Sequence, residues 1–199
     1  MKSTATASYN SIAKTLHWLI ALGIIFMLTL GWCFDFFPKG ESRFFAIQLH
    51  KSVGITILLL VFLRVLWRLT HAAPPFPATM PLWEQRAAYA GHFLLYAAMI
   101  CMPLSGWTMV SASAHNIPTI LYGLVPWPNV PGVQDSPHRE LIDHVTDFIH
   151  ANLALAFAAL IVGHAAAAWR HHLVAKDDIL LRMAPRFVHG ILYRLRGQK

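Results

Sequence analysis

The chain has 199 residues, of which 56% are hydrophobic and only 13% are charged. Its mean hydropathy of +0.49 is too high for an ordinary soluble domain, so the composition predicts an integral membrane protein embedded in the lipid bilayer. The formal net charge of +7 is explained by membrane orientation and contact with anionic lipid, and we expect no binding of nucleic acid.

Four apolar runs are long enough to cross a bilayer as helices, since one span requires about 20 residues. They cover residues 15–34, 49–69, 88–110 and 148–169. The first run is too long for the core of a signal peptide and no cleavage site follows it, so we interpret it as a retained helix. The sequence therefore predicts an all-α bundle of four transmembrane helices that forms a single domain over residues 1–199.

The connections differ in length and composition. Four prolines in the second connection prevent a helix from continuing through it. The longest connection is the outer loop 111–147, whose aromatic, proline and glycine residues are typical of a segment in the membrane interface or over the bundle. The segment SPHRELIDHVTDF is interpreted as a helix that begins at Ser136 or Pro137 and runs into the fourth span. The basic tail 170–199 is amphipathic, which predicts a helix on the cytoplasmic surface.

The positions of the charges predict the orientation of the chain. Of the 16 Lys and Arg residues, twelve lie on the side of the termini and four on the opposite side. The positive-inside rule then places both termini in the cytoplasm. Six of the nine acidic residues lie in the outer segments, so the outer side is slightly acidic.

Five of the twelve histidines lie at membrane depth; they are His17, His50, His92, His150 and His164. Imidazoles are costly in hydrocarbon, so we expect these residues to bind something. The 14 residues between His150 and His164 correspond to a rise of about 21 Å and a difference in azimuth of about 40°. By depth, His17 is paired with His164 on the inner side, and His50 with His150 on the outer side.

A pair of imidazoles is a poor zinc site, because zinc prefers four ligands and no acidic residue lies at this depth. Haem iron already has four porphyrin nitrogens and requires only two axial ligands from the protein. The two pairs therefore predict two haem b groups. Cys33 and Cys101 do not form a C-x-x-C-H motif, so thioether attachment is not expected.

Further residues are weaker candidates. Arg64 lies 14 residues after His50, where its guanidinium could pair with propionates of the inner haem, although snorkelling to the interface is an equal alternative. Gly54 and Gly163 could give a flat macrocycle access to the backbone, or could serve only in helix packing.

His92 has several open roles: an inner ligand in place of His17, a partner of a propionate, a proton relay to a quinone, or a histidine without chemistry. Inner-side polar residues near a haem edge prompt a hypothesis of quinone exchange; they are His92, Arg68, His171 and His172.

Four segments of the sequence carry a resemblance to a known family. They are SIAKTLHWLIAL, LHKSVGITILLLVFLRVLWRL, GHFLLYAAMICMPLSGW and IHANLALAFAALIVGHAAAAWRHHLVAKDDILLRMAPR. With them the chain resembles the bacterial cytochrome b561 family of inner-membrane proteins from about Tyr9 to Arg186. The resemblance implies a four-helix bundle with two haem b groups, with His17 and His164 as inner ligands and His50 and His150 as outer ligands.

The resemblance also implies a function and a location. In the best-known member, electrons pass from superoxide on the periplasmic side to ubiquinone, and other members exchange electrons with quinones or periplasmic partners. We therefore expect a multi-pass protein of the bacterial inner membrane that transfers electrons between an outer-side donor and ubiquinone. This chain departs from the family by placing Lys51 beside the outer ligand and by its longer proline-rich outer loop.

Three other kinds of protein would make different predictions. A cytochrome b anchor subunit would take electrons from a periplasmic dehydrogenase or hydrogenase through residues 111–147. A transporter or metal-ion carrier predicts acidic residues within the spans, and the sequence places none there. A purely structural bundle gives no reason for five imidazoles at membrane depth.

Overall fold

The computed structural model describes residues 8–197 and contains four long helices. They are α1 (Ser11–Trp32), α2 (Glu41–Thr70), α3 (Leu82–Ala112) and α4 (Arg139–Arg170). Each is long and apolar enough to cross a membrane, which confirms the predicted bundle of four transmembrane helices. The 30 to 32 residues of the last three helices correspond to about 45 Å, so these helices extend well beyond the hydrocarbon layer of about 30 Å.

The helices are longer than their apolar runs because polar turns at both ends are also helical. α1 begins four residues before the predicted position, because the side chain of Asn10 caps it. The Asn10 Oδ1 atom accepts a hydrogen bond of 2.9 Å from the amide of Ala13, which satisfies one of the free donors of the first turn. At the outer end, α4 already begins at Arg139, so its first turns lie outside the predicted span.

The core lies in the middle of the bundle. All four helices contribute buried apolar side chains, namely Ile20, Ile24, Ile57, Val61, Ala98 and Phe157. Phe157 lies on α4 midway between His150 and His164. Many large apolar residues around the circumference of the bundle remain exposed, among them Leu22 and Phe62, as expected of helices that face acyl chains.

The outer loop contains a β-hairpin that the sequence analysis did not predict. Strands β1 (Thr119–Leu121) and β2 (Val125–Trp127) pair antiparallel, with Leu121 opposite Val125. In the turn between them, Tyr122 and Gly123 have φ angles of 53° and 74°. A left-handed conformation is uncommon for tyrosine, so the turn is held by contacts outside the hairpin.

The tail is not the single surface helix that its amphipathic pattern predicted. α4 continues into one π-helical turn, His171–Ala175, and the chain then forms α5 (Ile179–Met183), a 3-10 turn and α6 (His189–Leu195). These short helices bury the side chain of His172 completely, and its Nε2 atom lies 2.9 Å from the Leu192 carbonyl oxygen. Burial of this side chain folds the tail into a compact unit.

This compact tail also contacts the start of α1. The indole nitrogen of Trp18 donates to the carbonyl oxygen of Met183 at 3.0 Å, and Lys14 Nζ donates to that of Ala184 at 3.4 Å. The first transmembrane helix and the tail therefore meet at the inner end of the bundle.

Candidate functional site

The outer pair of imidazoles comes from α2 and α4. The ring centres of His50 and His150 lie 6.3 Å apart with an angle of 66° between the planes. The Nδ1 atom of His150 lies 3.1 Å from the Met102 carbonyl oxygen and 3.0 Å from the Ser105 hydroxyl. A hydrogen bond from Nδ1 to this carbonyl fixes the ring and leaves Nε2 available to a ligand.

Two glycines allow the outer imidazoles to pack against neighbouring helices. A Cβ atom added at Gly106 would lie 2.8 Å from Cε1 of His150, and one added at Gly31 would lie 3.3 Å from Cε1 of His50. Sequence reasoning missed both residues. The sequence signal that could have found them is their depth in the membrane. Gly31 lies at the outer end of α1 and Gly106 near the outer end of α3, which is the level of the outer imidazoles.

The two glycines that the sequence analysis named do not contact an imidazole. An added Cβ at Gly54 would meet only the end of Met27 at 3.4 Å, and one at Gly163 would have nothing within 4 Å. Close approach of a backbone to an imidazole of the outer pair is thus a property of Gly31 and Gly106.

The inner pair has the same separation as the outer pair. The ring centres of His17 on α1 and His164 on α4 lie 6.3 Å apart, with an angle of 42° between the planes. His92 of α3 joins them, since its ring centre lies 5.5 Å from that of His164. The inner level therefore contains three imidazoles, and the outer level contains two.

Arg64 lies at the inner level, as its position in the sequence predicted. Its Nε atom donates to the Tyr96 hydroxyl at 3.1 Å, and Nη1 donates to the Ala13 carbonyl at 3.2 Å. Within residues 8–197, no carboxylate forms an ion pair with this guanidinium. An arginine in this setting suits an anionic group such as a carboxylate of a bound cofactor.

The geometry of the pairs can be compared with that of a metal bound by two imidazoles. A ring nitrogen lies about 2 Å from a bound metal and about 1 Å from its own ring centre, so opposed rings have centres about 6 Å apart. Both pairs match this separation. In addition, the Nδ1 atoms of His17 and His50 are buried without a hydrogen-bond partner, so the protein itself leaves these rings incompletely satisfied.

The donor set favours haem over a metal ion held by protein alone. In the described part of the chain, no group of three or more His, Cys, Asp or Glu side chains is arranged to hold a metal ion. Each level instead offers a pair of imidazoles with ring centres 6.3 Å apart in an apolar bundle, which suits the needs of haem iron, and His92 lies beside the inner pair. The residues present therefore fit a haem at each level.

A cavity of about 530 Å³ opens beside the inner level. Its wall includes polar and aromatic side chains, namely Asn10, Arg64, Trp67, Arg68, His71 and Tyr96. Trp67 donates from its indole nitrogen to Asn10 at 3.2 Å, and its ring stacks on His71 with centres 3.8 Å apart. Of the four residues in the quinone hypothesis, Arg68 lines this cavity.

His171 and His172 do not line the cavity, because both are engaged in the tail. The Nδ1 atom of His171 lies 2.6 Å from the carboxylate of Asp177, and its Nε2 atom lies 3.8 Å from that of Glu84. Glu84 also pairs with Arg170 at 2.9 Å. These contacts join the tail to the start of α3, and neither histidine is among the residues that line the cavity.

The comparison with known proteins agrees with this geometry. The family described as prokaryotic cytochrome b561 matches the chain over residues 8–186. The chain belongs to this family. It is accordingly a multi-pass membrane cytochrome b of electron transfer, and the family implies haem b as its cofactor.

Three relatives of this cytochrome are matched over nearly their full lengths. Cytochrome b561 homolog 1 of Escherichia coli K12 is 30% identical over 89% of this chain and 98% of its own. Cytochrome b561 homolog 2 of the same organism is 32% identical over 88% of this chain and 90% of its own. A protein of Yersinia pestis named probable superoxide oxidase CybB is 30% identical over 89% and 96%.

Proposed function

We propose that this cytochrome binds two haem b groups and carries electrons across the bacterial inner membrane between an outer-side donor and ubiquinone. The observation that carries the proposal is the equal separation of 6.3 Å in two imidazole pairs at opposite ends of α4. In this proposal His17 and His164 hold the inner haem, and His50 and His150 hold the outer haem. Bound haem supplies a one-electron iron couple.

The protein's own contribution is to hold and insulate the two sites. The buried side chains of the core lie between the two histidine levels and keep water out of the bundle. The Met102 carbonyl and the Ser105 hydroxyl hold the ring of His150. The charge of Arg64 at the inner level favours the more reduced state of a nearby redox centre.

The orientation is part of the same proposal. Both termini lie in the cytoplasm by the distribution of Lys and Arg, so the hairpin and the start of α4 lie in the periplasm or the outer leaflet. Labelling of an exposed residue on each side with a membrane-impermeant reagent in intact cells tests this orientation.

Haem content tests the central claim. The purified protein is expected to show a low-spin b-type spectrum with two haems per chain. His150→Ala and His164→Ala should each retain about one haem, because each removes one of the two side chains that would hold a haem at its level. His144→Ala is the matched control, since His144 lies on the same helix and is exposed. A ratio near one or zero in the unmodified protein would contradict the proposal.

The inner cavity supports ubiquinone as the acceptor. Quinone carbonyls accept hydrogen bonds, and the cavity wall offers donors from Arg64, Arg68 and Tyr96. Reduction to the quinol requires two electrons and two protons. A one-electron donor must therefore deliver an electron twice for each quinone that is reduced. Dithionite-reduced protein is expected to be reoxidised by a soluble quinone analogue, more slowly in Arg68→Gln than in Arg86→Gln. Absence of reoxidation on any timescale would remove the quinone claim.

Superoxide is one donor to test, because the Yersinia pestis relative is named a probable superoxide oxidase. Each superoxide would give up one electron and leave as dioxygen. The haems of this protein are then expected to become reduced when superoxide is generated enzymatically, and added superoxide dismutase should prevent that reduction. Reduction that is insensitive to the dismutase would exclude superoxide as the donor.

A protein donor is the second candidate, and a surface feature of α4 favours it. The first turns of α4, before His150, carry three acidic residues, Glu140, Asp143 and Asp147. Their spacing of three and four residues places them on one face of the helix. This acidic face repels an anion and attracts a basic partner. An anchor subunit for a periplasmic dehydrogenase or hydrogenase is expected to copurify with that enzyme, and charge-neutral variants of the three acids should lose it.

A further inference from the structure

The β1–β2 hairpin reaches the level of the outer imidazole pair. The Tyr122 amide donates to Ser52 Oγ at 2.9 Å, and Ser52 follows His50 by two residues, which is about 3 Å along α2. The Tyr122 hydroxyl lies 2.7 Å from the hydroxyl of Thr56, about one further turn along the helix. The turn of the hairpin therefore lies at the depth of His50, and the Tyr122 side chain reaches farther toward the middle of the bundle.

Side chains of the neighbouring helices satisfy the backbone of the hairpin. Gln48 Nε2 donates to the Pro118 carbonyl at 2.9 Å and Lys51 Nζ to the Ile117 carbonyl at 3.3 Å. On the other side, the Trp107 indole donates to the Pro128 carbonyl at 2.8 Å. Non-helical backbone is tolerated at membrane depth only where its polar groups have such partners.

Prolines remove hydrogen-bond donors from the free edge of the hairpin. Pro126 lies opposite Ile120, between two flanking pairs of the ladder. In an antiparallel ladder alternate residues direct their backbone groups away from the partner strand, and a proline in a strand occupies such a position. Pro128 lies two residues farther along the same edge. Neither residue has an amide proton that would require a partner in lipid.

The exposed surface of the hairpin is apolar. Leu124 is 82% exposed and Val125 is 55% exposed, and no charged side chain occurs in residues 117–134. A water-facing turn would ordinarily carry polar residues at these positions. We propose that the hairpin is immersed in the membrane leaflet on the His50 side, with acyl chains of the lipid covering Leu124 and Val125. The proposal is independent of the cofactors and of the direction of electron flow.

Immersion of the hairpin limits where a soluble partner protein can dock. A hairpin covered by acyl chains is not available to a periplasmic protein, so a protein donor would contact the outer part of α4 instead. The loop 111–147 is then divided between a lipid-facing hairpin and a water-facing segment after it.

Spin labelling in lipid bilayers tests the immersion. In full-length protein with Cys33→Ala and Cys101→Ala, a nitroxide is attached at Leu124→Cys, and its collision rates with oxygen and with a water-soluble nickel chelate are measured. Oxygen concentrates in the hydrocarbon and the chelate in water. The ratio of the two rates at position 124 is expected to exceed that at Asp135→Cys several-fold and to approach that of a label at Leu59→Cys, which lies deeper on α2.

Two outcomes would overturn the proposal. A ratio at position 124 equal to that at position 135 would show a water-exposed hairpin, and shielding from both reagents would show a second protein surface over it. A label at Val125→Cys provides the same readout if the first variant does not fold, with circular dichroism as the check of folding.

Discussion

The imidazole of His150 packs on the backbone of Gly106, so closely that any side chain at position 106 would displace it. A Cβ atom there would lie 2.8 Å from Cε1 and 3.2 Å from Nδ1 of the histidine. We therefore expect Gly106→Ala to shift the His150 ring away from His50 and to reduce the haem content from two per chain to about one. Haem quantitation of the purified variant measures this loss.

Gly163→Ala is the control for that experiment. Gly163 precedes the inner ligand His164 in the sequence, but an added Cβ there would meet nothing within 4 Å. This variant should keep both haems. Equal haem content in the two variants would show that the close approach at Gly106 does not position the outer ligand.

Removal of His92 distinguishes the three inner imidazoles. Because His17 and His164 have the same separation as the outer pair, we expect His92→Ala to retain two low-spin haems, whereas His17→Ala should lose one. The readout is the haem ratio with the low-temperature electron paramagnetic resonance spectrum of the oxidised protein. Loss of a haem in His92→Ala, with retention in His17→Ala, would reverse the assignment of the inner ligand.

Removal of the charge of Arg64 is expected to lower the midpoint potential of the inner haem. A cation favours the reduced state of a nearby centre, and its loss costs on the order of 1 kcal/mol at the effective dielectric constant of a protein, or about 40 mV for one electron. Redox titration of Arg64→Gln measures the shift.

The matched control for this titration is Arg68→Gln. Arg68 lines the same cavity, but it is exposed and donates to the His71 carbonyl at 3.2 Å. Its removal is expected to have the smaller effect, because solvent screens an exposed charge. An unchanged potential in Arg64→Gln would remove its assignment to the inner site.

The four spans and the depth pairing of the histidines could be predicted because both follow from one-dimensional spacing. Hydropathy locates the spans, and a rise of about 1.5 Å per residue then sets the depth of each imidazole. His17 and His164 lie together in the structure because each lies near the inner end of its helix. The role of the pairs as haem ligands stays a prediction.

The contact of Gly106, the hairpin and the fold of the tail were not predicted, because each depends on contacts between segments that are distant in the sequence. The depth of Gly106 follows from the sequence, but its contact with His150 also depends on which face of α3 meets α4. The hairpin has short strands of three residues, and its left-handed Tyr122 is held by Ser52 and Thr56 of another helix. The amphipathic pattern of the tail was consistent with a surface helix, but burial of His172 under α6 required the fold of the whole segment.

His172 provides a test of that tail. It has no exposed surface, and its Nε2 atom donates to the Leu192 carbonyl at 2.9 Å. His172→Ala would leave a cavity and remove one of the two hydrogen bonds of the Leu192 carbonyl, which also accepts from the Arg196 amide at 3.1 Å, at a cost on the order of 2 kcal/mol. We expect amide hydrogen exchange in α6 to accelerate by about thirtyfold, since local opening sets its rate, while both haems remain bound. His71→Ala, which removes an exposed histidine at the same end of the bundle, should leave the exchange of α6 unchanged. Equal exchange in the two variants would show that α6 is held in place without His172.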